Sequence, residues 1–96
     1  MHARVSTYRG DGDRLIEGFE GVSDALAAVD GFSHAYFMVD RSGKGMSITI
    51  WESEDALLAS VAKADELRRQ GADAGGSEIE SVEHYEIGMT VGTPTT

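Results

Sequence analysis

The chain has 96 residues, eight basic against seventeen acidic, for a formal net charge of −9. That balance argues against nucleic acid and anionic membranes as partners, because both repel an acidic surface. The absence of cysteine rules out disulfide and thiolate chemistry, and with no apolar run long enough for a leader or a span the default location is cytoplasmic.

In chain order, His2 to Arg9 alternates Ala3, Val5 and Thr7 with His2, Arg4, Ser6 and Tyr8, the period of two expected of a strand. Gly10-Asp-Gly12 breaks it. Asp13 stands where an N-cap is wanted, and Leu15, Phe19, Val22, Leu26 and Val29 follow at helical spacing, which predicts one helix of about four turns. Gly18 and Gly21 fall at its polar edge, where tolerance is the default reading, and Gly31 suits the left-handed position after its end.

The stretch from Gly31 to Asp55 predicts strand, turn, strand and the start of a helix. Its first strand is bulky on both faces, with His34, Tyr36 and Met38 on one side and Ala35, Phe37 and Val39 on the other. Such a strand must be covered twice. The next strand alternates Met46, Ile48 and Ile50 with Ser47, Thr49 and Trp51, and Arg41-Ser-Gly-Lys-Gly45 joins the two, both glycines being available for positive φ.

Ser53 is a suitable N-cap for a second helix, with Glu54 and Asp55 in its first turn, and Ala56, Leu57, Val61, Ala64 and Leu67 form its apolar stripe. Arg68 and Arg69 then place positive charge in the last turn before Gly71. From Ser77, the odd positions Ile79, Tyr85, Ile87, Met89 and Val91 predict a long last strand. Residues 1–92 read as a single domain and residues 93–96 as a disordered tail.

The order β-α-β-β-α-β predicts an α+β, ferredoxin-like plait, a four-stranded antiparallel sheet with two helices on one face. Its other face would be bare, and a second copy of the chain, forming a homodimer through that open sheet face, is the expected cover.

With that order in place, Gly31-Phe32 after a helix and Ser47-Ile-Thr-Ile-Trp-Glu-Ser-Glu-Asp-Ala-Leu57 at a strand-to-helix junction resemble the antibiotic-biosynthesis-monooxygenase-like group of the dimeric α/β barrel superfamily. The resemblance spans nearly the whole chain in element order, though the sharp motif covers only about ten residues. It implies a cofactor-free, monooxygenase-like protein that binds a small hydrophobic or aromatic molecule between helices and sheet; the alternative is a non-catalytic ligand-binding or accessory protein on the same scaffold. The haem-degrading branch of the superfamily uses an Asn on the first strand and a Trp and a His on the second helix. This chain contains no Asn, and its predicted second helix has neither of the others.

Among candidate site residues, His34 and Tyr36 are two apart on one face, where they are able to share proton transfer as a catalytic pair or be buried together at the dimer interface. Phe19, Ser33, Ala35 and Trp51 are the candidate ligand-binding residues, Trp51 as an aromatic wall or as a plug between hairpin and helix. Arg4 and Arg9 suit an anionic ligand, with exposure as their ordinary fate. No metal or other cofactor is expected, since His2, His34 and His84 are scattered and no phosphate loop or Ser-His-Asp spacing occurs.

Overall fold

The computed structural model describes residues 1–92, so the expectation for 93–96 lies outside the described residues. Eight elements run β1 (His2–Arg9), α1 (Gly12–Glu20), α2 (Ser23–Ala27), β2 (Phe32–Val39), β3 (Lys44–Trp51), α3 (Glu54–Ala59), α4 (Val61–Ala74) and β4 (Glu78–Glu86). The strands form one antiparallel sheet in the order β2-β3-β1-β4, the ferredoxin-like plait, with the helices packed on one face. Among the described residues no helix is long and apolar enough to cross a membrane.

Each predicted helix is two. The first breaks after Glu20, where Gly21 and Val22 turn the chain, and its N-cap is Asp11, two residues earlier than the expected Asp13, with its carboxylate accepting from the amides of Asp13 and Arg14. The apolar stripe nevertheless stays on the core side through the break. Ser53 caps α3 as expected, but Ser60 ends that helix by donating its hydroxyl to the Leu57 carbonyl at 2.7 Å. Gly71 does not close the second helix, which continues to Ala74.

Gly71 is instead a crossing point. A Cβ there would lie 2.6 Å from the Phe19 ring, and one on Gly18 would strike the Gly71 carbonyl. Two glycines thus let α1 and α4 touch backbone to backbone, a packing role that outweighs the ~1 kcal/mol each costs in a helix. In the β2–β3 turn only Gly43 uses positive φ (91°), while Gly45 makes room for Leu15. The Asp40 carboxylate ties that turn by accepting from the amides of Ser42 and Lys44 and from the Ser42 hydroxyl. The last strand stops at Glu86, short of the expected Val91.

The register decides which row of each strand faces the helices. Arg4 pairs with Thr49 and Ser6 with Ser47, and these rows lie under the helices with Tyr8 and Trp51. The apolar rows, Val5 with Ile48, Tyr36 with Ile48 and Met38 with Met46, point the other way. Strand alternation is therefore inverted relative to the usual apolar-inward arrangement.

Candidate functional site

Beneath the helices the polar rows of β1 and β3 line a small cavity of about 30 Å³. Its walls are Arg4, Ser6, Tyr8, Ser47 and Thr49 from the sheet, Arg68 from α4, and an aromatic side formed by Phe19 and Phe37. The rings of Phe19 and Phe37 lie 4.6 Å apart, and Tyr8 meets Phe19 edge-on at 5.2 Å.

Tyr8 is 1% exposed, and its hydroxyl shares a 2.8 Å hydrogen bond with Ser47 Oγ. Burial raises its pKa, which its hydrogen bonds to Ser47 and Ser6 and the charge of Arg68 only partly offset. The phenol is a neutral hydrogen-bonding group at ordinary pH.

Arg4, at 3% exposure, is buried rather than exposed as its residue type suggested. Its Nη2 donates to the Leu57 carbonyl at 3.1 Å and to Ser60 Oγ at 3.2 Å, its Nε donates to His84 Nε2 at 3.1 Å, and the guanidinium stands 5.5 Å from the Trp51 ring centroid. It thereby rivets the α3–α4 junction to the sheet. Burial first, and the charge of Arg68 second, lower its pKa, with Asp65 opposing. Arg68 is 7% exposed, and both its Nη atoms donate to the half-exposed carboxylate of Asp65. Among the described residues Arg4 Nη1 and Arg68 Nε are buried donors without an acceptor.

The expected site residues are divided between the two faces of the sheet. Phe19 lines the cavity, and Ala35 packs beside Phe37 on the same side. Trp51 is fully buried among Leu26, Leu57 and Leu67, with its Nε1 donating to Thr49 Oγ1 at 3.0 Å; it supports the cavity through Thr49 without lining it. Ser33 sits at an irregularity in the β2–β3 ladder, exposed, and hydrogen-bonds His34 Nδ1 at 2.9 Å. His34 and Tyr36 are together, their rings 5.5 Å apart and nearly perpendicular, but on the outer face. Tyr36 is 44% exposed. Arg9 is exposed and pairs with Glu80.

The residues not anticipated as a cavity wall include Ser6, Tyr8, Phe37, Ser47, Thr49 and Arg68. Their signal is faint but real: serines and threonines placed opposite a clean Met-Ile-Ile row suggest that one of the two faces is polar, without saying which is inside.

No family model and no curated protein sequence matches this chain. Solved structures do. SnoaB, a cofactor-independent oxygenase from Streptomyces nogalater, superposes with a TM-score of 0.71 at 18% identity, over 94% of this chain and 95% of that one. The monooxygenase ActVA-Orf6 of Streptomyces coelicolor, solved with nanaomycin D, gives 0.68 at 20% identity, over 98% and 92%. The fold is that of the antibiotic-biosynthesis-monooxygenase group. The same fold includes MhuD, a haem degrader from Mycobacterium tuberculosis, at TM-score 0.69 and 20% identity over 96% of this chain and 100% of that one. Within the antibiotic-biosynthesis-monooxygenase fold, then, the chemistry of a member rests on its own cavity walls.

Proposed function

We propose that this chain is a cofactor-independent oxygenase of a small aromatic molecule held between helices and sheet, working as a homodimer. The observation that carries the reading is the inverted alternation of β1 and β3, which sends Arg4, Ser6, Tyr8, Ser47 and Thr49 under the helices beside an aromatic wall. The polar head of an aromatic molecule fits the cavity beside Phe19 and Phe37, where hydroxyl and guanidinium donors favour the anionic form of a phenol and so lower its pKa. That anion is the species that reacts directly with oxygen. The fold it shares with SnoaB and ActVA-Orf6 supports the same class of chemistry.

The dimer belongs to the other face. Tyr36, Met38, Met46 and Tyr85 are large apolar side chains left exposed on it, and a second copy laid against it would cover them. His34 and Tyr36 would then sit at the interface, where either a proton-transfer or a packing role is open to them. Replacing His34 by Ala and Tyr36 by Phe separates the roles, since loss of turnover with the dimer intact supports catalysis and loss of the dimer supports packing.

The deciding experiment is oxygen uptake with dihydroxynaphthalenes as probe substrates. Uptake well above the protein-free rate is expected, and no uptake from a protein that binds the same compounds would overturn the oxygenase reading. One feature favours that second outcome, a non-catalytic binding protein: among the described residues the cavity walls carry guanidinium, hydroxyl and aromatic groups but no carboxylate or imidazole to take the proton.

A further inference from the structure

The chain is strongly acidic, yet three of its eight basic residues, Arg4, Arg68 and Arg69, converge at one edge of the fold. There, between α4 and β4, an open cleft of about 450 Å³ is lined by Val61, Ile79 and Val82 together with Asp65, Arg68, Arg69 and His84. Arg68 stands in the wall of both this cleft and the inner cavity. Among the described residues the only carboxylate lining either space is that of Asp65, so one negative side-chain charge faces three guanidinium groups. His84 adds no charge while its Nε2 accepts from Arg4.

Arg4 and Arg68 are each more than nine-tenths buried, and each keeps one N–H without an acceptor. A buried charged donor left unmatched is costly, and the guanidinium plane suits a planar oxyanion. The inner cavity has room for a headgroup only, whereas the outer cleft has room and apolar surface for a ring.

We propose that the ligand is an aromatic carboxylate, entering between α4 and β4, with its carboxylate received by Arg68 Nε and Arg4 Nη1 and its ring resting on Val61, Ile79 and Val82. This inference rests on the helix–sheet ligand reading above and specifies the charge of that ligand and its route in. Against a field of net negative charge, the arginine-lined mouth also concentrates the anion where it is needed.

The test is calorimetric titration of the whole protein with 2-naphthoate and with its neutral isostere 2-naphthamide, repeated on Arg68→Met. Met keeps the apolar stem and removes a buried charge, so the variant should fold, which its melting curve checks. Naphthoate should bind the unaltered protein at least about tenfold more tightly than the amide, the effect of one charge-assisted pair, and Arg68→Met should abolish that preference, with naphthoate losing more affinity than the amide. Equal affinity for acid and amide, or an unaltered preference in Arg68→Met, would overturn the carboxylate inference and leave the ligand cavity standing. Binding of neither compound at millimolar concentration would overturn both.

Discussion

The two faces of the sheet have exchanged the roles that strand patterning normally gives them. Under the helices lie Arg4, Ser6, Tyr8, Ser47 and Thr49, almost all withdrawn from solvent; on the outside lie Val5, Ile48, Tyr36, Met38 and Met46, partly or largely exposed. A monomer built for stability alone would do the reverse, since burying polar groups demands that each find a partner. The inner face meets that demand through Tyr8 with Ser47, Trp51 with Thr49, and Arg4 with Leu57, Ser60 and His84. Among the described residues Arg4 Nη1 and Arg68 Nε beneath the helices stay unmatched. The difference is what the proposed polar ligand beneath the helices and the proposed second copy outside would each require.

The outer face offers the largest effect. Ile48 occupies the middle of the outer apolar rows, paired with Val5 on one side and Tyr36 on the other. Ile48→Lys should cost a monomer little, because the partly exposed side chain faces outward, but in the proposed dimer it would set an unpaired charge at the centre of the covered face. Such a charge weakens association by roughly 3 kcal/mol or more, over a hundredfold in affinity. Light scattering across a concentration series should find a dimer for the unaltered chain and a monomer for the variant. A dimer in both would mean that the second copy sits elsewhere.

The inner face gives a smaller effect, read as stability. Ser47→Ala removes the partner of the buried Tyr8 hydroxyl and should cost about 1–3 kcal/mol, whereas Tyr8→Phe, which removes the stranded group itself, should cost about 1 kcal/mol. The double variant should be less destabilised than the sum, by a coupling of at least about 0.5 kcal/mol in denaturant melts. Strict additivity would mean that the hydrogen bond contributes nothing and that the inner polar row is only tolerated.

What the sequence revealed follows from the same contrast. Alternation in His2–Arg9 and Met46–Trp51 identified the strands and the two rows of each, and Ser53 marked a helix start where it occurs; the helix expected to run to Asp30 ends instead at Ala27, capped by Ala28, and Gly31 (φ 79°) serves the turn into β2. The phase of the alternation stayed hidden, because a period of two fixes which residues share a face but not which face is covered. Arg4 consequently read as a surface residue. The breaks at Gly21 and Ser60 were invisible for a related reason: Val22 and Leu26 stay on the buried stripe across the first break, and Val61 and Ala64 across the second, so hydrophobic spacing never registers the change of axis. Arg68 looked like a helix-end cation complementing the dipole; the extension of α4 to Ala74 instead puts it two turns inside, facing the sheet.

The smallest effect sharpens the inner face by pH. His84 has its pKa lowered from 6.5, by burial first and then by the charges of Arg4 and Arg68, with Asp65 acting the other way. The unfolded chain therefore takes up a proton at this site before the folded one does. Its contribution to stability is complete above pH 6.5 and is lost as pH falls below that value toward the folded pKa. Replacing His84 by Gln, which keeps an acceptor for Arg4, should flatten the stability profile over that window by a fraction of a proton and leave it unchanged at pH 8. The carboxylate of Asp40, lowered by its hydrogen bonds to Lys44 and Ser42, acts in a separate window beginning near 3.8, so the two do not overlap. Arg68→Met should shift the His84 titration upward in an NMR series, because it withdraws one of the two charges that hold the imidazole neutral. A His84 that titrates identically with and without Arg68 would mean that the guanidinium points away from the sheet, and the cationic mouth would lose its inner half.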